Sequence, residues 1–134
     1  MPIERLIDHE RRVLEIVFHG AISLNEIIAE RRALERFSPE SLAYDALIDL
    51  RRGSFALTTA EIRDVASQPR ADRWPRSRCA FVTPHEHTLA DLRLFELWAH
   101  RGPREYRSFR SLGEACEWLG LAGAGLCAED VAVG

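Results

Sequence analysis

The sequence predicts a single α/β domain whose mixed, mostly parallel sheet has about five strands and about four helices. Two observations predict it: apolar segments with strand character alternate with segments of helical period, and three helical segments begin with a capping-box pattern. A parallel sheet covered by helices is the usual packing solution for such alternation. The 134 residues, 46% of them hydrophobic and 29% charged, suit one globular core.

The amino-terminal segments predict a hairpin followed by a helix. Residues 3–7 and 12–19 are rich in Ile, Val, Leu and Phe and flank a charged turn, so we expect two antiparallel strands. Ser23 and Glu26 have capping-box spacing, and a helix therefore begins at Ser23. It ends at Ser38, because Pro39 disfavours helical geometry in the residue before it.

The middle of the chain predicts two buried strands and a second helix. Residues 44–50 form a nearly continuous apolar run, which is typical of a strand buried on both faces, and we place it at the centre of the sheet. Thr58 and Glu61 repeat the capping-box spacing, and their helix ends before Pro69. Residues 78–83 form the next buried strand.

A third helix, capped by Thr88 and broken by Gly102-Pro103, is the most apolar of the chain. Residues 105–109 then predict a last strand, and the spacing of Ser111 and Glu114 predicts a fourth helix that ends at Gly120. We therefore assign residues 1–120 to the domain and residues 121–134 to a Gly/Ala-rich tail.

Composition argues against several partners and locations. The net charge of −3 and the pI of about 6.0 do not favour nucleic acid. No apolar run approaches the roughly 20 residues of a membrane helix, and residues 1–4 lack the basic start of a secretory signal, so we expect a cytoplasmic protein without integral membrane association. The widely spaced Cys79, Cys116 and Cys127 predict neither a disulfide framework nor a zinc site, and we interpret Cys79 and Cys116 as small core residues.

The sequence carries no catalytic motif. It has no Gly-x-Ser-x-Gly elbow, no Gly-rich phosphate loop and no HExxH pair, so we expect no enzyme and no cofactor. His85 and His87 flank Glu86, but a metal site needs three or four convergent ligands, and we interpret the stretch as a polar loop. An enzyme that uses Arg73, Arg76 and one of these histidines on an anionic substrate is the least favoured alternative.

Two surfaces are candidates for binding. The third helix is apolar on more than one face, which predicts a ligand or partner surface at Leu94, Leu97 and Trp98 unless these residues complete the core. Arginine forks suit phosphate or carboxylate, and tryptophan can stack on a ring. A possible anion site, with a solvated basic face as the alternative, therefore consists of Arg51, Arg52, Arg73, Trp74 and Arg76.

The last strand and helix resemble the closing signature of the SpoIIAA-like family in the residues Tyr106-Arg107-Ser108-Phe109-Arg110-Ser111-Leu112-Gly113-Glu114-Ala115-Cys116-Glu117-Trp118-Leu119. Ala46-Leu47-Ile48-Asp49-Leu50 is similar to the strand before the switch loop of the related STAS (anti-sigma-factor antagonist) domains, and residues 18–23 resemble their strand-to-helix entry. The likeness spans residues 3–120. It implies a mixed sheet, no catalytic activity and a regulatory module with kinship to Sec14-type lipid-binding domains.

The resemblance weakens at the switch loop. STAS regulators are phosphorylated in an Asp-Ser-Ser-Gly loop, and the matching residues here are Leu57-Thr58-Thr59-Ala60. Thr58 and Thr59 are thus a possible switch loop, and the alternative is that Thr58 only caps a helix.

We therefore expect a non-enzymatic STAS-like module that binds a partner protein and forms a homodimer. The alternative is a carrier of a small apolar or lipid-like ligand, held between the third helix and the sheet.

Overall fold

A computed structural model describes residues 2–67, 76–99 and 102–121. Its elements follow the chain as β1 (Ile3–Asp8), β2 (Val13–Ser23), α1 (Leu24–Phe37), a short 3-10 helix (Pro39–Ala43), β3 (Asp45–Ala56), α2 (Thr59–Ala66), β4 (Ser77–Val82), α3 (Glu86–Ala99), β5 (Arg104–Phe109) and α4 (Leu112–Leu119). The predicted five strands and four helices are confirmed. The predicted tail lies, except for Leu121, outside the described residues.

The five strands form one sheet in the order β1-β2-β3-β4-β5. β1 is antiparallel to β2 and the other neighbours are parallel, so the predicted hairpin and the central position of β3 are confirmed. Crossovers between parallel strands are right-handed. In this sheet every crossover leads to the next neighbouring strand, always towards the β5 edge. α1, α2 and α3 therefore share one face of the sheet, and α4 packs on the other.

Each face of the sheet has its own core because side chains alternate along a strand. The face under α1, α2 and α3 carries Leu14, Ile16, Phe18, Ala46, Ile48, Leu50, Cys79 and Phe81. The opposite face packs against α4 through Leu47, Ala80, Val82, Leu112, Ala115, Cys116 and Leu119. The run of residues 46–50 is thus buried on both faces, as its pattern predicted.

Side-chain caps start α1, α2 and α4 where the sequence placed them. The Ser23 hydroxyl accepts a hydrogen bond from the Glu26 amide at 3.3 Å, and the Glu26 carboxylate accepts one from the Ser23 amide at 3.0 Å. Thr58 and Glu61 form the same reciprocal pair at 3.1 and 2.9 Å. At the third predicted capping box, the Glu114 amide donates to the Ser111 hydroxyl at 3.3 Å, but the return bond from the Ser111 amide to the Glu114 carboxylate does not form.

Several predicted boundaries are wrong. β2 and β3 run on to Ser23 and Ala56, because residues with little apolar signal still pair in register there, as Gly20 does with Gly53. α3 begins at Glu86, before the predicted cap Thr88, because the Leu89 amide already donates to the His85 carbonyl at 2.9 Å.

Cys79 and Cys116 are 4% and 1% exposed, which confirms both as core residues. Cys79 is a buried thiol. Cys116 is disulfide-bonded, so the expectation that the cysteines form no disulfide is wrong. Spacing along the chain does not determine the distance between two sulfur atoms in the folded molecule.

Candidate ligand-binding cavity

An apolar cavity of about 190 Å³ lies between the sheet and the helices of the α1–α3 face. Its floor is formed by the strand residues Leu14, Ile16, Ala46, Ile48, Cys79 and Phe81. Its walls come from all three helices, through Ile27, Ile28, Leu34, Ile62, Val65, Leu92 and Phe95. The same alternation of side chains that builds the core therefore also lines the cavity.

The cavity exists because α1 packs separately from the other two helices. α2 packs against α3, and Arg63 of α2 places its guanidinium carbon 5.0 Å from the centre of the Trp98 ring. α1 instead contacts β2 and the 3-10 helix, and Leu34 is its one fully buried side chain. Ile27 and Ile28 are only partly buried and face the space between α1 and the α2–α3 pair.

Three aromatic rings make one wall of the cavity rigid. Phe95 and Tyr106 meet edge to face with their centroids 4.9 Å apart, and Phe81 lies 5.6 Å from Phe95 in the same manner. Edge-to-face pairs are the arrangement that ring quadrupoles favour. This wall of β4, α3 and β5 is therefore better fixed than the α1 wall.

Polar side chains stand at the boundary of the cavity, and several of them are ion-paired or hydrogen-bonded in the structure. Glu30 of α1 pairs with Arg5 of β1, with 2.8 Å between Arg5 Nη2 and Glu30 Oε1, and this hydrogen bond raises the pKa of Arg5. Arg104, at the start of β5, is only 8% exposed. Its Nη2 donates to the carbonyls of Leu42 and Tyr44, the second at 2.9 Å, and so ties the 3-10 helix to the sheet.

The predicted apolar surface of α3 is adjacent to the cavity and does not line it. Leu97 is 63% exposed, while Leu94 and Trp98 are half-buried. α3 contributes Leu92 and Phe95 to the cavity instead. A helix that is apolar on several faces gives no sequence signal for which face meets the sheet.

The predicted anion site does not assemble from its described members. Cys79 of β4 pairs with Ala46 of β3. Arg76 lies three residues before Cys79, and Arg51 lies five residues after Ala46. The two arginines are therefore about eight residues, or roughly 26 Å, apart along the strand direction. Arg51 pairs with the buried Asp49, at 2.9 Å from Nη2 to Oδ2, and Arg52 is exposed. Arg51 and Arg76 of the predicted anion site therefore lie far apart, and Arg73 and Trp74 lie outside the described residues.

The other predicted sites lie at the carboxyl ends of the strands. Thr58 caps α2 and Thr59 is its first residue, both exposed; their proposed phosphorylation stays a prediction. His85 Nε2 lies 3.3 Å from the Arg51 carbonyl, so the loop after β4 lies beside the second half of β3. Across the part of the chain that the structure describes, no group of three or more potential metal ligands occurs.

Sequence reasoning missed Arg104 because it started the last strand one residue too late. Arg104 follows the Gly102-Pro103 break and was counted as part of the loop. Its period-two relation to Tyr106 places both residues on the same face of β5, where both border the cavity. Extending the alternation of side chains along β5 by one step towards the amino terminus would have identified Arg104 as a residue of this face.

Within residues 2–67, 76–99 and 102–121, no helix is long and apolar enough to span a bilayer. The chain matches no protein-family model and no curated protein. Among solved structures it is similar to the crystal structure of an uncharacterized protein from the DUF3478 family with a SpoIIAA-like fold, from Shewanella loihica. The two chains share 19% sequence identity over 87% of this chain and 93% of the other, with a TM-score of 0.57. This protein therefore has a SpoIIAA-like fold.

Proposed function

We propose that this protein is a non-enzymatic binding module that carries a small apolar ligand in the cavity between α1, the α2–α3 pair and the sheet. The observation that carries the proposal is the cavity itself, with about 190 Å³ of space and walls made mostly of aliphatic and aromatic side chains. Native interiors are close-packed and leave few voids larger than a water molecule. A cavity of this size and lining is suited to hold an apolar molecule.

The volume limits the size of the ligand. An engineered apolar cavity of about 150 Å³ stays free of water and binds benzene. The present cavity, at about 190 Å³, therefore accommodates one ring or a short alkyl chain. A larger ligand requires α1 to move outward, which its single fully buried residue permits.

The expected affinity for a minimal ligand is modest. Five methylene groups gain about 4 kcal/mol on leaving water, at roughly 0.8 kcal/mol each. That free energy corresponds to a Kd of about 1 mM. The first experiment therefore needs a method that detects weak binding.

We propose to titrate the full chain with 4-fluorotoluene, a neutral apolar probe, and to follow its fluorine NMR signal. Ile27→Trp fills the cavity from α1, and we expect it to reduce binding by about tenfold or more, since the probe loses its space. Ala29→Trp places the same ring at an exposed position of the same helix and is the matched control. Equal binding by the wild type and both variants, or no binding by the wild type, would refute the carrier proposal.

A second candidate function is the binding of a partner protein, favoured by the exposed side of α3. Leu97 is 63% exposed, and large apolar side chains of this kind are typical of interaction surfaces when they cluster. We propose that a STAS-like module uses this side for a homodimer. Co-purification of tagged with untagged chain tests the homodimer. We expect Leu97→Asp to abolish the association, and we expect the control Ala60→Asp, at an exposed position of α2, to retain it. A strictly monomeric wild type at micromolar concentration would refute the homodimer.

A further inference from the structure

Arg104 stands where the apolar cavity meets a polar cleft. The cleft has a volume of about 740 Å³ and opens at the amino ends of β4 and β5. Its lining includes Asp45, Arg76, Ser77, Arg78, Glu96 and Glu105. Among the described residues, Arg104 is the charged one that lines both the apolar cavity and the polar cleft.

The charge of Arg104 has no acidic partner in the described part of the chain. Its side chain is nine-tenths buried, and no described carboxylate lies within ion-pair distance of it. Its described hydrogen bonds both leave from Nη2, to the carbonyls of Leu42 and Tyr44. The donors on Nε and Nη1 therefore remain for another acceptor, and buried charges in proteins are ordinarily paired.

The orientation of this guanidinium is fixed before any ligand arrives. Two carbonyls of the 3-10 helix region hold Nη2, and the neighbouring Tyr106 ring packs against Phe81 and Phe95. A donor that is already ordered loses little conformational freedom when a ligand binds. Arg104 thus has the burial, charge and rigidity of an anion-binding side chain.

We propose that Arg104 binds the anionic head of the carried ligand, and that the ligand is a monocarboxylate whose apolar group fills the cavity. This inference rests on the proposed carrier function. A guanidinium and a carboxylate have matching planar geometries, so the one guanidinium of Arg104 suits one carboxylate head. The cavity volume limits the apolar group to about a benzene ring or a short alkyl chain.

The test is a competition against 4-fluorotoluene on the full chain, with hexanoate and 1-hexanol as competitors of matched chain length. We expect the wild type to bind hexanoate about tenfold or more tightly than 1-hexanol, which is the range expected for a hydrogen bond to a charged group. Arg104→Met is expected to lose this preference and to keep its affinity for 1-hexanol. Arg107→Met, on the same strand but exposed on the opposite face, is the control and is expected to keep the preference.

The outcomes separate this inference from the function on which it rests. If the wild type binds hexanoate and 1-hexanol equally well, the role of Arg104 is refuted and the carrier function stands. If 4-fluorotoluene, hexanoate and 1-hexanol all fail to bind, the carrier function itself is refuted.

A second measurement needs no variant, in case Arg104→Met does not fold. Carboxyl-labelled hexanoate bound to the wild type is titrated by carbon NMR. We expect its carboxyl pKa to lie below that of free hexanoate, because a neighbouring guanidinium favours the charged form. A bound carboxyl that titrates like the free acid would overturn the proposal.

Discussion

Gly53 shows how closely two strands approach at one residue of this sheet. A Cβ atom at this position would lie 2.7 Å from the carbonyl oxygen of Phe18 and 2.9 Å from its carbonyl carbon. The register between β2 and β3 shifts between Val17 and His19, opposite this point. The contacts are with backbone atoms, which cannot rotate away, so the position requires glycine.

We expect Gly53→Ala to destabilise the protein by roughly 1–3 kcal/mol, the usual cost of adding a methyl group where there is no space. Urea unfolding followed by circular dichroism measures the change. Ser54→Ala, at the next residue of β3, is the control, and we expect its free energy of unfolding to change much less. Similar losses in the two variants would contradict the steric explanation.

Glu86 at the start of α3 is paired with Arg110, which follows β5. The hydrogen bond from Arg110 and its positive charge hold the pKa of Glu86 below the ordinary value of 4.5. Because the pKa is lower in the folded state, the stabilising contribution is present above pH 4.5 and is lost as the pH falls through the folded-state pKa. The side chains are exposed, so the effect on stability is small.

Arg110→Gln is expected to raise the pKa of Glu86 towards its ordinary value, since both of the main causes of the shift are removed. Carbon NMR of the Glu86 carboxyl over a pH titration gives the two values. Arg107→Gln, with an exposed side chain on the same segment of chain, serves as control. An unchanged Glu86 pKa in Arg110→Gln would show that the pair does not form in solution.

The helices differ in how many of their side chains are buried against the rest of the protein. α1 has 14 residues and one fully buried side chain, whereas α4 has 8 residues and four. Helix stability in proteins comes mostly from the packing of an apolar face. α1 is therefore less firmly anchored to the sheet than α4.

We expect the amides of α1 to exchange with deuterium faster than those of α4, and 4-fluorotoluene to slow exchange in α1 selectively. Hydrogen exchange with mass spectrometric detection measures both effects, because local opening determines the exchange rate. The α4 peptides, on the face without the cavity, provide the internal control. Faster exchange in α4 than in α1 would show that the packing argument does not hold.

The two faces of the sheet give the molecule two cores, and the cavity lies in the core of the α1–α3 face. Leu92 of α3 and Leu112 of α4 are 0% and 2% exposed, so they are similarly buried. Leu92 lines the cavity, and Leu112 belongs to the core of the opposite face. The two leucines form a matched pair for testing what the cavity contributes.

We expect Leu92→Ala and Leu112→Ala each to lower the free energy of unfolding by about 2–5 kcal/mol. Leu92→Ala also enlarges the ligand space, so 4-fluorotoluene is expected to restore more of the loss in Leu92→Ala than in Leu112→Ala, which keeps the original cavity. Thermal unfolding with and without the probe measures both recoveries. Equal recovery in the two variants would show that the space left by Leu92 is not part of the ligand site.

The sequence by itself determined the elements, because their signals are local. These signals act within a few residues: they are the capping residues such as Ser23 and Thr58, the proline after α1 and the run of β3 that is apolar on both faces. The structure has α1, α2 and β3 where these signals predict them. The handedness of crossovers assigns α1, α2 and α3 to one face of the sheet only once the strand order is known, and the structure supplied that order. The apolar runs of β3 and β4 predicted the two strands that are buried in the structure.

Only the tertiary structure decided which of these residues meet. The cavity depends on the gap between α1 and the α2–α3 pair, and that gap depends on how three helices pack, which no single segment encodes. Arg104 gains its position from its contacts with Leu42 and Tyr44, about sixty residues earlier in the chain. Local patterns determine helices and strands, whereas a binding site depends on distances between segments that are remote in sequence.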